Sequence, residues 1–396
     1  MTNTAILAAS GLLLLAYGIE HFGRRFRLPS VVLLIVVGLV ARQALDAIGW
    51  QFRWVEPIVP VVGTIGLILI VLEGALDLTV TRERRAMIAT AAASSLAGFA
   101  AALASFALIF GVLLRMESTL AVLAAIPFAV VSSAVAIPSA QGLAERTREF
   151  IVYESSFSDI LGVLVFYAWV SADGSLQDFT FDLLGGGAIS LVAACLAALA
   201  LFYFINQIAG HVRFLPLLAG LVFLYAIGKE LHLSPLIVVL VCGLIINNPN
   251  LVTWHAAVRG LQNGDYEQTL REFKGLVAEL TFATKSFFFL LLGYWTEVRS
   301  MLSIEAILVA LAGIAAIFTT RWLILKALRR DEIAQLLWVA PRGLITVLLF
   351  LSARDTGKLD GFPFGAVMLV VLVTSAMTAL AHRGQPEPEE QPAAQG

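Results

Sequence analysis

Run after run of about twenty apolar residues, separated by short polar links, is the feature that most narrows what this chain can become. Crossing a bilayer's hydrocarbon core takes about 20 helical residues. On that ruler the sequence divides into thirteen segments: 4–20, 28–48, 57–79, 86–114, 117–141, 150–172, 181–208, 213–230, 234–248, 273–296, 303–327, 332–353 and 363–382. Backbone polar groups in lipid must be satisfied internally, and spans of this length do so as helices. Segments eight and nine are parted only by the KELHLSP stretch, and nine is brief, which suits a tilted or partly embedded helix. With 59% hydrophobic and 14% charged residues, against about a quarter charged in soluble domains, the expected fold class is all-α, a polytopic membrane protein. The links are too short for a soluble domain. Residues 1–383 are expected to form one transmembrane domain, and 384–396 a disordered tail. A net charge of −2 carries no polyelectrolyte signal, so nucleic acid is not an expected partner. Cys195 and Cys242 sit in apolar runs without a CxxC or a nearby His, and read as small buried side chains. The N-terminus lacks a basic leader region and an AxA cleavage site, so the first run is expected to persist as a helix.

Basic residues set the orientation, because cytoplasmic loops accumulate them. Loops after odd-numbered segments hold fifteen of the Lys and Arg residues and loops after even-numbered ones hold seven. The N-terminus is therefore expected outside and the tail in the cytoplasm. The connection from Pro249 to Glu272 is amphipathic and is expected to lie along the cytoplasmic surface.

The sequence also repeats. LPSVVLLIVVGLV at Leu28 to Val40 echoes LSPLIVVLVCGLI at Leu233 to Ile245, and LILIVLEGALDL around Gly74 echoes FFFLLLGYWTEV around Gly293. Both echoes are seven segments apart, and an odd offset inverts the second copy. Inverted repeats of six segments joined by a seventh build alternating-access transporters, with a site near the midplane where broken helices meet. Segment five carries Ser132, Ser133 and Pro138 at mid-span, and segment twelve, its partner by the same offset, carries Ala340, Pro341, Arg342 and Gly343. Proline removes a backbone donor, and irregular backbone is tolerated at depth only where protein or a water-lined cavity satisfies it. Freed carbonyls and hydroxyls are good ligands for hard cations. An ordinary proline kink healed by Ser hydroxyls is the alternative for either helix taken alone.

Segment six holds YESSFSDILGVLVFY, which puts the carboxylate Asp159 inside a membrane-spanning helix. Helical spacing stacks Ser155 under Asp159 and Glu154 under Ser158. An acid at bilayer depth costs about 2.5–3.5 kcal/mol and persists for a function such as an ion path or proton relay. A structural acid capping a neighbouring helix is the other reading.

These residues resemble the monovalent cation:proton antiporter superfamily, the sodium/hydrogen exchangers of the bacterial NhaP and NapA type. Leu72, Glu73, Gly74, Ala75 and Leu76 match the family's FEGGL phrase. Glu154, Ser155, Ser158 and Asp159 occupy the ESxxND positions, and Arg342 and Gly343 match an Arg-Gly pair after the twelfth-helix break. The resemblance implies an NhaA-like fold of about thirteen helices with crossed discontinuous helices. It implies a homodimer in the cell inner membrane, no cofactor, no enzymatic activity, and exchange of Na⁺ or K⁺ for H⁺ at Asp159. Ser155, Ser158 and the backbone oxygens of Ser132 and Ser133 would complete the cation shell, and Glu73 either tunes the site through water or assists binding. Two positions depart from the pattern: Ser158 stands where the family has Asn, and Ser132, Ser133 and Ala134 stand where it often has Thr-Asp-Pro. Lys285 resembles the lysine that pairs with the site acid in the electrogenic branch, and is expected to pair with Asp159. Arg342 is expected to satisfy carbonyls at the break, and Arg321 to snorkel without a role.

A proton and a metal cation then compete for one carboxylate, and exchange follows if the empty charged acid is too costly to carry across the barrier. Asp159 is the only acid at the centre of segment six, so one cation for one proton is expected. If cation binding instead releases Lys285 and its proton, two protons move per cation. A sodium-coupled organic-solute symporter would need more polar surface, a channel a selectivity filter, and an intramembrane enzyme a nucleophile or metal ligands, whereas all five His lie at segment ends or loops.

Overall fold

A computed structural model describes residues 2–26, 29–47, 55–81, 83–172, 176–181, 183, 185, 187–207, 214–230, 235–249, 266–328, 332–355, 357–359 and 361–382. Of the amphipathic connection expected from Pro249 to Glu272, residues 250–265 lie outside the described residues, as does the tail at 384–396, and residues 266–272 form the start of a long helix. Helices account for the architecture, and there is no strand among the described residues. In order they are α1 (Thr2–Phe26), α2 (Ser30–Ala47), α3 (Val55–Asp77), α4 (Arg85–Leu113), α5 (Ser118–Ala129), α6 (Ser133–Ser139), α7 (Glu145–Ser171), α8 (Leu176–Phe181) and α9 (Gly187–Gln207). After these come α10 (Phe214–Glu230), α11 (Pro235–Asn247), α12 (Tyr266–Trp295), α13 (Val298–Met301), α14 (Ile304–Ala327), α15 (Ile333–Leu336), α16 (Leu344–Asp355) and α17 (Phe364–Met377). Among the described residues, seven helical stretches are long and apolar enough to cross a membrane, with shorter apolar helices at Leu191–Ala200, Leu236–Asn247 and Leu344–Arg354. This is a multi-pass membrane protein. Cys195 is exposed and only Cys242 is buried, so one of the two expected buried thiols instead faces outward from α9.

The helices sort into two bundles. One is built on α2, α3, α11 and α12, and the other on α4 to α7 with α14, α16 and α17. Within the first, α2 packs on α12 and α3 packs on α11. If segment two corresponds to nine and three to ten, each of these contacts is the image of the other, which is what an inverted repeat requires. Both seams depend on glycine. A Cβ on Gly38 would collide with the backbone of Leu290, Gly293 and Tyr294, and one on Gly243 would collide with Ala75 and Leu72. Helix backbones approach this closely in membranes only where the residues are small. In the second bundle, α4 against α7 is mirrored by α14 against α17.

Segments five and twelve are both interrupted. Between α5 and α6 the chain is extended at Val130 (φ −76°, ψ 130°) and Ser132 (φ −76°, ψ 119°). The break overlaps the expected stretch at its first residue, Ser132, while Pro138 at the other end lies inside α6. Tertiary partners, more than proline, set its place: Val131 N donates to Ser158 Oγ (2.9 Å), Ser132 N to Pro341 O (2.9 Å) and Ser133 N to Asp159 Oδ2 (3.2 Å). Three successive N–H groups that a continuous helix would bond internally are each taken by another segment, which is how a break survives at this depth.

Candidate functional site

The two interruptions meet face to face. Arg342, 2% exposed, donates through Nε to Phe128 O (2.6 Å) and through Nη1 to Ala340 O (3.0 Å), so one guanidinium satisfies a freed carbonyl on each broken segment. Its own backbone is held by α17, with Arg342 N donating to Thr374 Oγ1 (3.0 Å) and Ser375 Oγ donating to Arg342 O (3.1 Å). Segment thirteen thus does for the second break what Ser158 and Asp159 of segment six do for the first. Gly343 allows the close crossing, since a Cβ there would press on Ser132 and Val135.

Asp159 projects from α7 to the start of α6. One carboxylate oxygen accepts from Ser133 N, and the other, Oδ1, is buried without a hydrogen-bond partner. The acid does cap a neighbouring helix, with half of its capacity left over. Asp159 lines a void of about 10 Å³ together with Ile70, Gly74, Ser133, Ser156 and Leu240 among others. Ile70, Gly74 and Ser133 also line a cavity of about 650 Å³ that runs between α1, α3, α6 and α12. Its wall carries Glu20, Glu73, Asp77, Glu279, Thr281 and Lys285. Four acids against one lysine give this vestibule a negative field, and a cleft of one sign concentrates counter-ions.

Several expected roles change. Lys285 does not partner Asp159: its ammonium stands 5.9 Å from the Phe282 ring centroid on the vestibule wall and acts electrostatically on Glu73. Ile70, Gly74 and Ser133, common to both spaces, stand between that wall and the carboxylate. The Ser132 carbonyl, expected as a ligand, accepts from Ala136 N (2.9 Å) and Val135 N (3.3 Å), because α6 begins at once and takes it for its first turn. Ser155 donates its hydroxyl to Ile151 O (2.7 Å), and Ser158 is engaged with the Val131 amide. Ser132 Oγ is buried and unpartnered.

Glu154 points away from Asp159, since five residues along a helix turn the side chain by about 140°. It accepts from Arg321 Nη1 (3.2 Å) and Nη2 (2.8 Å) and from Ser94 Oγ (2.6 Å), while Arg321 Nε donates to Leu336 O (2.7 Å). Arg321 is 8% exposed, so the snorkelling expectation is corrected: its side chain turns inward because a buried carboxylate and a carbonyl of α15 are there to receive it. The polar stripe of segment six therefore divides between two places, an ion-pair cluster inside the second bundle and the Asp159 void at the junction of the bundles. Ser156, absent from the expected set, is the further hydroxyl at that void, and its i, i+3 spacing from Asp159 was the signal available for it.

Compared with the curated proteins, the sequence matches none. Among solved structures, the fold is similar to that of the sodium proton antiporter MjNhaP1 from Methanocaldococcus jannaschii at pH 8, with a TM-score of 0.76 and 21% identity over 97% of this chain and 100% of that one. An electron-microscopy structure of the same antiporter gives a TM-score of 0.74 at 21% identity, over 98% of this chain and 100% of that one. At this identity the likeness establishes the fold. The family described as sodium/hydrogen exchanger, transmembrane, matches residues 10–382, and with nearly the whole helical region inside that match, the chain belongs to the sodium/hydrogen exchanger family.

Proposed function

We propose that this member of the sodium/hydrogen exchanger family, a cation/proton antiporter, uses Asp159 as the shared proton and cation site and exchanges one Na⁺ or K⁺ for one H⁺ across the cell inner membrane by alternating access. The observation that carries the reading is the half-satisfied carboxylate: one oxygen fixed by Ser133 N at the helix crossing, the other unpartnered beside a void next to the acidic vestibule. A proton and a cation are two ways of completing such a group, and the empty charged form is costly to move through a low-dielectric barrier. Glu73 and the other vestibule acids gather the cation, and Ser133 presents the carboxylate. Ser132, Ser155 and Ser158 shape the crossing, Arg342 satisfies its carbonyls, and Glu154 braces the bundle behind it. Lys285 tempers the field at Glu73.

By the distribution of basic residues the vestibule belongs to the cytoplasmic side, with the N-terminus outside, residues 1–383 as the exchanger domain and 384–396 as a cytoplasmic tail. A homodimer is part of the proposal, and the mass of the purified protein in detergent tests it. The function is tested by dequenching of a pH dye in everted vesicles on adding Na⁺, K⁺ and Li⁺ in turn. A cation-dependent response is expected, lost in Asp159→Asn. No response from the unaltered protein, or an undiminished one from that variant, overturns the reading.

A further inference from the structure

Two residues that line the small void each carry a buried oxygen with no hydrogen-bond partner: Asp159 Oδ1 and Ser156 Oγ. Ser156 is 6% exposed. Buried hydroxyls are nearly always satisfied because an unmade hydrogen bond costs free energy, so an orphan hydroxyl beside an orphan carboxylate oxygen points to an occupant shared by both. The remaining wall is largely apolar, formed by Ile70, Val71, Ile160, Leu236 and Leu240. At about 10 Å³, the void has room for roughly one water-sized particle.

Gly74 lines both the void and the vestibule, and a Cβ on it would lie 3.5 Å from Ser156 Oγ. The neighbouring hydroxyl, Ser155 Oγ, is engaged with Ile151 O. Of the two adjacent serines, only Ser156 lines the void.

We propose that Ser156 Oγ is a ligand of the transported ion alongside Asp159 Oδ1, the two completing each other's unmet bonding through one shared cation. The proposal rests on Asp159 being the exchange site and adds a second side-chain ligand there. Ser156→Ala removes the oxygen without adding bulk.

The test uses full-length protein in proteoliposomes, with Na⁺, Li⁺ and K⁺ titrated at fixed pH, and the same purified protein melted in detergent with and without Na⁺. Ser156→Ala is expected to raise the KM for Na⁺ and Li⁺ about tenfold, the weight of one hydrogen-bond-sized interaction. The maximal rate should hold within about twofold, as for loss of uniform binding. Stabilisation by Na⁺ should shrink in parallel, while the melting temperature without Na⁺ stays the same. Ser156→Thr should restore the KM. An unchanged KM and an unchanged Na⁺ stabilisation in Ser156→Ala overturn the proposal and leave water as the void's occupant. The Na⁺-dependent melting shift needs no transport, so it judges Ser156 even if Asp159→Asn retains exchange and the function proposed above fails.

Discussion

Neutralising Glu154 is expected to destabilise the protein more than neutralising Arg321, although the two form one ion pair. Glu154, Arg321 and Arg342 are 3%, 8% and 2% exposed, and together they line a cavity of about 30 Å³ inside the second bundle. Arg342 interacts electrostatically with both members of the pair, repelled by Arg321 and attracted by Glu154. Glu154→Gln thus leaves two buried guanidiniums without a carboxylate between them, whereas Arg321→Gln leaves Glu154 still opposed by Arg342. Breaking a buried pair costs about 3–5 kcal/mol. The first variant belongs at the upper end, about 5 kcal/mol, and the second at the lower, about 3 kcal/mol. The double variant removes both charges together and should fall short of the sum by about 2–3 kcal/mol, as expected of directly coupled sites. Denaturant titration in detergent, followed by tryptophan fluorescence, supplies all three values. Equal losses in the single variants with strict additivity in the double would refute the buried-triad reasoning.

Asp159→Asn should abolish cation-dependent proton movement while the protein stays folded, read by dye dequenching beside a melting curve. Lys285→Gln should leave stability nearly unchanged and lower the KM for Na⁺ by about two- to fivefold, the weight of a partly solvated charge on the ion's route; a large drop in melting temperature would restore a pairing with Asp159. Gly38→Ala puts a Cβ into the backbone of α12 and should cost about 1–3 kcal/mol or more as an overpacked contact, measured by denaturant titration. In proteoliposomes clamped with valinomycin at several potentials, the exchange rate should not follow voltage. Dependence at about 2.3 kcal/mol per charge per 100 mV would replace the one-for-one cycle with an electrogenic one.

Much of the fold was legible because lipid leaves the backbone few choices. The apolar runs map onto helices, and the echoes of LPSVVLLIVVGLV and LILIVLEGALDL anticipated which helices pack as mirrored pairs. What sequence could not supply was the direction of individual polar side chains. Periodicity put Ser155 and Asp159 on one stripe, yet Ser155 turned back to its own helix at Ile151 O, a local bond open to any helical serine. Arg321 and Glu154 are partners 167 positions apart, and no local pattern joins them. The cause of the first break was hidden for the same reason: Ser132 and Pro138 were visible, but the partners that hold the Val131, Ser132 and Ser133 amides lie on segments six and twelve.

That dependence bears on how the protein is made. The Ser132 amide waits for Pro341 O, and the Phe128 carbonyl waits for Arg342, 214 positions later. A membrane interior offers no water to an open backbone group, and each one left unmet costs several kcal/mol. A nascent chain that has inserted its first six segments therefore holds an unfinished interruption that its own residues cannot close. Synthesis must continue through Gly343 before segment five reaches its final form. Chains truncated between segments six and twelve should consequently be substrates for membrane quality control, however apolar each of their helices is.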